Sequence, residues 1–150
     1  MIQNKKYYYD INDLLNSTQS SQTDLHIDLR SSSIGSEGGA SLNSCLTNFT
    51  NLLNLKIYLY YNSLGSKGAE QIGSALLNFS KLQTLILQLR DNPFSDTSAA
   101  DLANSLESCN ELRNLILNLD YNQAGMLFAQ SIGNALEKCS NLCTLDLSLQ

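Results

Sequence analysis

A short alternation of apolar and polar residues recurs five times along the chain at a fixed spacing of thirty residues. The five copies occupy residues 25–29, 55–59, 85–89, 115–119 and 145–149. In each copy, leucine or isoleucine stands at every second position, which predicts a strand with one buried face. A constant period of about 20–50 residues indicates stacked supersecondary units. The pattern therefore predicts a repeat array.

A helical period follows the strands that precede the last copy. In one copy Ala69, Ile72, Ala75, Leu76 and Phe79 fall on a single stripe of a helix. The next two copies carry the stripes Ala99, Leu102, Leu106, Cys109 and Ala129, Ile132, Leu136, Cys139. Each unit is therefore predicted to be a strand, a turn, a helix and a return segment.

One turn position carries asparagine in three copies, at Asn62, Asn92 and Asn122, and serine in the first, at Ser32. Asparagine suits turns because its side chain can bond nearby backbone groups and it tolerates left-handed φ. At a fixed spacing these side chains are predicted to form a ladder of hydrogen bonds between neighbouring turns.

Similar strands separated by crossover helices are expected to run parallel. The predicted fold is therefore an α/β solenoid with a parallel sheet on its concave side and helices on its convex side. The competing fold is a doubly wound α/β domain, whose units are not near-copies and usually carry a phosphate loop.

The combined pattern is L-x-x-L-x-L-x-L-x-x-N-x-x-G-x-x-G-A-x-x-[LI]-x-x-[AS]-L-x-x-[CF]-x-x-L, over about residues 24–150. It resembles the leucine-rich repeat of the ribonuclease-inhibitor-like class, in a thirty-residue variant similar to arrays of ciliated protists. These repeats depart from that class by an extra Leu-x pair in the strand. The resemblance implies a right-handed, horseshoe-shaped superhelix that binds proteins and has no enzymatic activity. It implies no particular partner.

The two ends depart from the repeat. Residues 1–23 are predicted to be an N-terminal capping segment with a short helix at about 9–17, and residues 24–150 to be four full repeats plus a final strand at 144–149. That strand would present an unpaired edge. Because terminal repeats normally need a cap, we expect a fragment of a longer array or self-association at this C-terminal edge strand.

Charge and hydropathy exclude several classes of function. The net charge of −5 argues against nucleic-acid binding, which needs a basic face. No apolar run approaches the roughly 20 residues of a membrane helix, so no membrane partner is expected. The first ten residues lack the apolar core of a signal peptide, which favours a cytoplasmic location.

The residue types for catalysis and metal binding are sparse. The chain has one histidine, four cysteines and no C-x-x-C pair, so no metal site is predicted. Cys109 and Cys139 occupy a position that carries phenylalanine in earlier copies and are predicted to be buried. Phosphate-loop motifs are absent from the sequence. We therefore predict no catalytic residue and no cofactor. Asn92-Pro93-Phe94 resembles a tripeptide read by endocytic adaptor domains, but its residues also fit the repeat.

Side chains between the buried leucines are predicted to form columns on the concave face. The columns are His26, Lys56, Ile86, Ile116, Asp146; Asp28, Tyr58, Gln88, Asn118, Ser148; and Arg30, Tyr60, Arg90, Asp120, Gln150. The candidate protein-binding residues are Lys56, Tyr58, Tyr60, Ile86, Arg90 and Ile116, because tyrosine and arginine are enriched at interface hot spots. The alternative is that tyrosine and isoleucine simply favour strands.

The predicted function is that of a noncatalytic protein–protein interaction scaffold whose partner the sequence does not name. Two alternatives stay open. The array could be the targeting or regulatory arm of a longer enzyme, such as a kinase or a GTPase regulator, or an architectural subunit of a cytoskeletal assembly.

Overall fold

The computed structural model describes residues 5–17 and 21–150 as strands alternating with helices. The strands are β1 Lys5–Tyr8, β2 Asp24–Asp28, β3 Asn54–Tyr58, β4 Thr84–Gln88, β5 Asn114–Asn118 and β6 Thr144–Ser148. The helices are α1 Ile11–Leu15, α2 Gly35–Leu46, α3 Gly65–Leu76, α4 Asp96–Ser105, which ends in a 3-10 turn at Leu106–Ser108, and α5 Met126–Lys138. Each strand from β2 to β5 forms one unit with the helix that follows it.

All six strands form one parallel sheet in chain order. The thirty-residue period sets the register, since Leu55 lies beside Leu85 and Leu85 beside Leu115. The predicted α/β class and parallel order are confirmed, and the layout is compatible with a solenoid. The horseshoe curvature and the leucine-rich-repeat kinship stay predictions.

The core lies between the sheet and the helices. Strand leucines such as Leu85 and Leu87 share one apolar cluster with helix residues such as Ile72 and Leu102. Cys109 belongs to this cluster, and both Cys109 and Cys139 are buried as predicted. Burial raises the pKa of the Cys109 thiol to about 11. These thiols are packing residues that stay protonated at neutral pH.

The predicted asparagine ladder is present. The Asn92 Oδ1 accepts backbone N–H groups of Asn62 and Leu64, each at 3.2 Å, both in the preceding turn. Its Nδ2 donates to the carbonyl oxygens of Leu59 at 2.8 Å and Leu89 at 3.0 Å. One side chain therefore joins two turns.

The N-terminal segment differs from the prediction. The expected helix at about 9–17 covers only Ile11–Leu15 and is capped by the Asp10 carboxylate, which accepts the Asn12 N–H at 2.7 Å. Ahead of it lies an unpredicted strand, β1, which extends the sheet by placing Tyr7 beside His26. With only four residues, β1 is too short for alternation to be recognised in the sequence.

The predicted stripe of α5 is wrong at one position. Ala129 is exposed, whereas Phe128, one residue earlier, is fully buried. The helix keeps its phase, because Phe128, Ile132 and Ala135 are buried at the same repeat positions as Ser98, Leu102 and Ser105. Ala129 is exposed because α5 packs against α4 on one side only, whereas α4 lies between α3 and α5.

The final strand, β6, forms one edge of the sheet. Leu145 and Leu149 are 46% and 44% exposed there. Pairing of this edge with another chain stays a prediction.

Candidate functional site

Every second side chain of β2 to β5 lies on the sheet face opposite the core. These positions are half-exposed, while the leucines and isoleucines between them are buried. We call this surface the open face. It consists of the three predicted columns and of one column that was not predicted.

All six predicted candidate residues lie on the open face and are half-exposed. Lys56, Ile86 and Ile116 are neighbours across β3, β4 and β5. Tyr58 ends β3, and Tyr60 and Arg90 lie two residues beyond the ends of β3 and β4. The structure thus brings the six residues onto one surface, and their role in binding a protein stays a prediction.

A row of aromatic rings extends from Tyr58 towards β1. The His26 ring lies 5.1 Å from the Tyr58 ring and 5.0 Å from the Tyr7 ring. Tyr60 meets Tyr58 edge-on at 6.2 Å. Tyr7 could not be placed from the sequence, because its position depends on the unpredicted strand β1.

Arg30 and Asp28 form an ion pair beside this row. The Arg30 Nε and Nη2 each donate to the Asp28 carboxylate at 2.7 Å, and the guanidinium lies 6.0 Å from the rings of Tyr58 and Tyr60. The hydrogen bonds from Arg30 lower the pKa of Asp28, although partial burial opposes them. Burial is also the main reason why the pKa of Tyr60 is raised.

Arg90 occupies the same repeat position as Arg30 but has a different environment. Its guanidinium lies over the Tyr121 ring at 4.5 Å. Its Nε is enclosed and has no hydrogen-bond partner, and the residues described by the structure include no ion pair to Arg90. The stack with Tyr121 was not predicted, because Tyr121 belongs to the following turn and not to a column.

The carboxylate of Asp120 is held by the last strand. It accepts the Gln150 N–H and the Ser148 hydroxyl, each at 2.7 Å, and the Asn118 amide at 3.2 Å. These bonds, the one from Gln150 foremost, lower the pKa of Asp120. Asp120 is only 6% exposed, so this predicted column member stabilises the array and offers little charge to a partner.

The unpredicted column is polar and lies at the start of the strands. It consists of Asp24, Asn54, Thr84, Asn114 and Thr144. Asn54 donates to Asp24 at 3.0 Å, and Asn114 donates to Thr84 at 3.4 Å. Its signal was in the sequence, because each member immediately precedes the first leucine of a strand.

The Asn92-Pro93-Phe94 tripeptide is not accessible to an adaptor domain, because Asn92 and Phe94 are fully buried.

Within residues 5–17 and 21–150 there is no cavity and no cluster of three potential metal ligands. No helix in the same ranges has the length and apolar content to cross a bilayer. Cytoplasmic location stays a prediction.

Comparison with protein-family models gives no match for this chain, and comparison with curated proteins gives no significant match. The family resemblance therefore depends on the repeat pattern alone.

Proposed function

We propose that this chain is a noncatalytic protein-binding scaffold of the leucine-rich-repeat type. In this proposal the open face is the concave surface of the array, and a protein partner contacts it at Lys56, Tyr58, Tyr60, Ile86, Arg90 and Ile116. The observation that carries the proposal is the half-exposed aromatic and cationic cluster on an in-register sheet.

The residue types of the cluster support binding to a protein. Tyrosine and arginine are the residues whose truncation most often costs an interface more than about 2 kcal/mol. Ile86 and Ile116 lie side by side and add apolar area to the cluster, and contiguous apolar area on a surface is typical of interaction sites. The cluster therefore combines apolar, aromatic and charged contacts.

The geometry of the cluster also supports binding. Tyr58 is held by His26 on one side and by Tyr60 on the other, and Arg30 is fixed by Asp28. Side chains that are ordered before binding lose less conformational entropy when the complex forms. Strand β3, which carries Tyr58, pairs with β2 on one side and with β4 on the other. This pairing keeps the distances between side chains of neighbouring strands constant.

The proposal places the protein in the cytoplasm, where thiols stay reduced. The four cysteines are free, and three of them are buried in the core.

The test is a comparison of two double variants in affinity capture from cells that express the protein. Tyr58→Ala with Tyr60→Ala removes the centre of the cluster. Lys67→Ala with Glu70→Ala changes two exposed residues of α3, away from the open face, and serves as the matched control. We expect the first variant to lose the captured partner and the second to retain it.

Two further measurements make the result decisive. The melting temperature of both variants shows whether they are folded, and cross-linking of the captured partner shows which face it contacts. Retention of the partner by the folded tyrosine variant, or cross-links confined to the helices, would contradict the proposal.

A further inference from the structure

Two arginines occupy the same repeat position, and only one of them has an acidic partner. Arg30 donates through Nε and Nη2 to the carboxylate of Asp28, two residues earlier. At Arg90 the residue two positions earlier is Gln88, which has no charge. Arg30 therefore shows what a guanidinium at this position binds when a carboxylate is within reach.

Arg90 has no substitute for that carboxylate. Its Nε is enclosed without a hydrogen-bond partner, and a buried unpaired donor of this kind lowers stability. The two terminal nitrogens form no hydrogen bond to the described residues and are absent from the enclosed, unpaired atoms. They are therefore open to solvent, on the same face as Tyr58 and Lys56.

Asp120 is an acidic group whose pKa is lowered most by the Gln150 N–H and also by the charge of Arg90, but the Asp120 and Arg90 side chains form no ion pair. The Asp120 carboxylate is occupied by Gln150, Ser148 and Asn118. Within the part of the chain that the structure describes, ion pairs join only Arg30 to Asp28 and Lys138 to Glu107. A second cation, Lys56, lies on the adjacent strand without an acidic partner in those ranges.

Tyr121 gives Arg90 a platform. Its left-handed backbone, with φ 54, belongs to the repeat, because Ser31, Tyr61 and Asp91 have φ 52, 57 and 59 at the same position. Tyr121 is 60% exposed, and the Arg90 guanidinium lies 4.5 Å from its ring centre. The ring therefore covers one face of the guanidinium.

We propose that Arg90, stacked on Tyr121, binds a carboxylate in an acidic segment of the protein partner, with Lys56 binding a second carboxylate. This inference rests on the proposed function, since it names the chemistry of the partner at the same face. Lys56 lies beside Ile86, four residues before Arg90. The two cations are therefore roughly 14 Å apart, the span of about four residues of extended chain. An extended segment with acidic side chains four positions apart fits this spacing.

The experiment selects peptides from a random peptide library on the intact chain and measures their affinity for variants. Gln88→Glu supplies Arg90 with an internal carboxylate in the arrangement that Asp28 has with Arg30. Arg90→Gln removes the cation. Thr144→Glu is the matched control, because it adds the same charge on the open face at an exposed position of β6.

We expect the selected peptides to be rich in aspartate and glutamate. Gln88→Glu and Arg90→Gln should each weaken their binding at least about tenfold, because a charge-assisted pair is lost. Thr144→Glu should bind within about twofold of the original chain, given the distance between β6 and Arg90. Gln88→Glu should not lower the melting temperature, because it satisfies the enclosed Nε.

The outcomes separate this inference from the proposed function. Selected peptides without acidic residues, or peptides that bind both Arg90-directed variants as well as the original chain, overturn the carboxylate assignment. If those peptides still require Tyr58, the open face remains the binding surface. Peptides that also bind Tyr58→Ala unchanged, or a selection without enrichment, overturn both.

Discussion

The buried asparagines form hydrogen bonds through both the oxygen and the nitrogen of the side-chain amide. In the middle turn, the Asn92 Oδ1 accepts two backbone N–H groups, and Nδ2 lies within hydrogen-bond distance of three carbonyl oxygens. Aspartate lacks the donor, and serine lacks the reach to satisfy so many groups. Ser32 fills this position in the first unit, where the serine is exposed.

Replacement of Asn92 by alanine should destabilise the protein by about 3–5 kcal/mol. The reason is that the enclosed N–H groups of Asn62 and Leu64 lose their side-chain acceptor. The carbonyl oxygens of Leu59 and Leu89 also lose one of their two amide donors. Urea denaturation monitored by circular dichroism measures the change. The matched control is Ser32→Ala, which should stay within about 0.5 kcal/mol of the original chain. Equal effects of the two substitutions would show that the ladder contributes no stability.

The asparagine ladder was predictable from the sequence, but the stack of Arg90 on Tyr121 was not. The ladder depends on one residue type at one repeat position, so the period alone predicts it. The stack depends on the side-chain conformation of Arg90 and on a tyrosine in the next turn. That turn position carries Ser31, Tyr61, Asp91 and Tyr121 in the four units, so the repeat pattern predicts no partner for Arg90 there.

At the scale of elements, the start of each helix from α2 to α5 pairs one large residue with one small residue four positions away. The pairs are Ile34 with Gly38, Leu64 with Gly68, Phe94 with Ser98, and Ala124 with Phe128. The order is reversed only in the fourth pair. A Cβ atom on Gly68 would lie 2.7 Å from the Leu64 Cβ, so both members of a pair cannot be large.

Gly68→Ala should therefore destabilise the protein by about 1–3 kcal/mol through overpacking. This sign is opposite to the intrinsic preference, because alanine in a helix interior is favoured over glycine by about 0.8–1.0 kcal/mol. Gly133→Ala is the matched control, since a Cβ there meets no atom within 4 Å. It should stabilise the chain by close to the intrinsic amount. Thermal denaturation of both variants gives the two signs.

A double-mutant cycle assigns the cost to Leu64. In a Leu64→Ala background, the penalty for Gly68→Ala should largely disappear, because the clashing side chain is gone. A penalty that persists in that background would place the clash elsewhere, for example at the close approach of α2 and α3 through Gly39.

The fold was predictable from the sequence, whereas the exposure of Ala129 was not. The alternating leucines fix strands, register and parallel order, because one face must be buried at every step. Ala129 was expected in the core because its counterparts Ala69 and Ala99 are buried. It is exposed because no helix of the described residues packs on the outer side of α5, and a pattern based on equal positions does not show how many neighbours a unit has.

At the scale of the whole molecule, two carboxylates connect the fourth unit to its neighbours. Asp96 in α4 accepts the backbone N–H groups of Gly125, Leu127 and Phe128 at 2.8, 3.1 and 2.9 Å, and so caps α5 from the preceding unit. Asp120 holds the end of β6 in the same manner. Each repeat contacts only its neighbours, so the loss of these contacts should affect one end of the array.

Acid should therefore open the C-terminal end of the array before the centre. The N–H of Phe128 lowers the pKa of Asp96 most, and that of Gln150 lowers the pKa of Asp120 most. A carboxyl group with a lowered folded-state pKa stabilises the fold above its unfolded pKa of about 3.9. The stabilisation disappears as the pH falls through the folded-state value. Deuterium uptake by residues 120–150, corrected for intrinsic exchange rates, should rise as the pH falls below about 3.9, before uptake in β3 and β4 does.

Substitutions of the two aspartates by asparagine test whether their carboxyl groups cause the opening in acid. Asp96→Asn with Asp120→Asn should reproduce the fast C-terminal exchange at about pH 6 and remove most of its dependence on pH, because the titrating groups are gone. Asp101→Asn changes an exposed carboxylate of α4 that has no hydrogen bond to a neighbouring unit, and it should leave the exchange pattern unchanged. Uniform opening of all units in acid would show instead that the array behaves as one cooperative block. The local caps would then have no separate effect on its stability, since the nearest-neighbour contacts of the sheet would dominate.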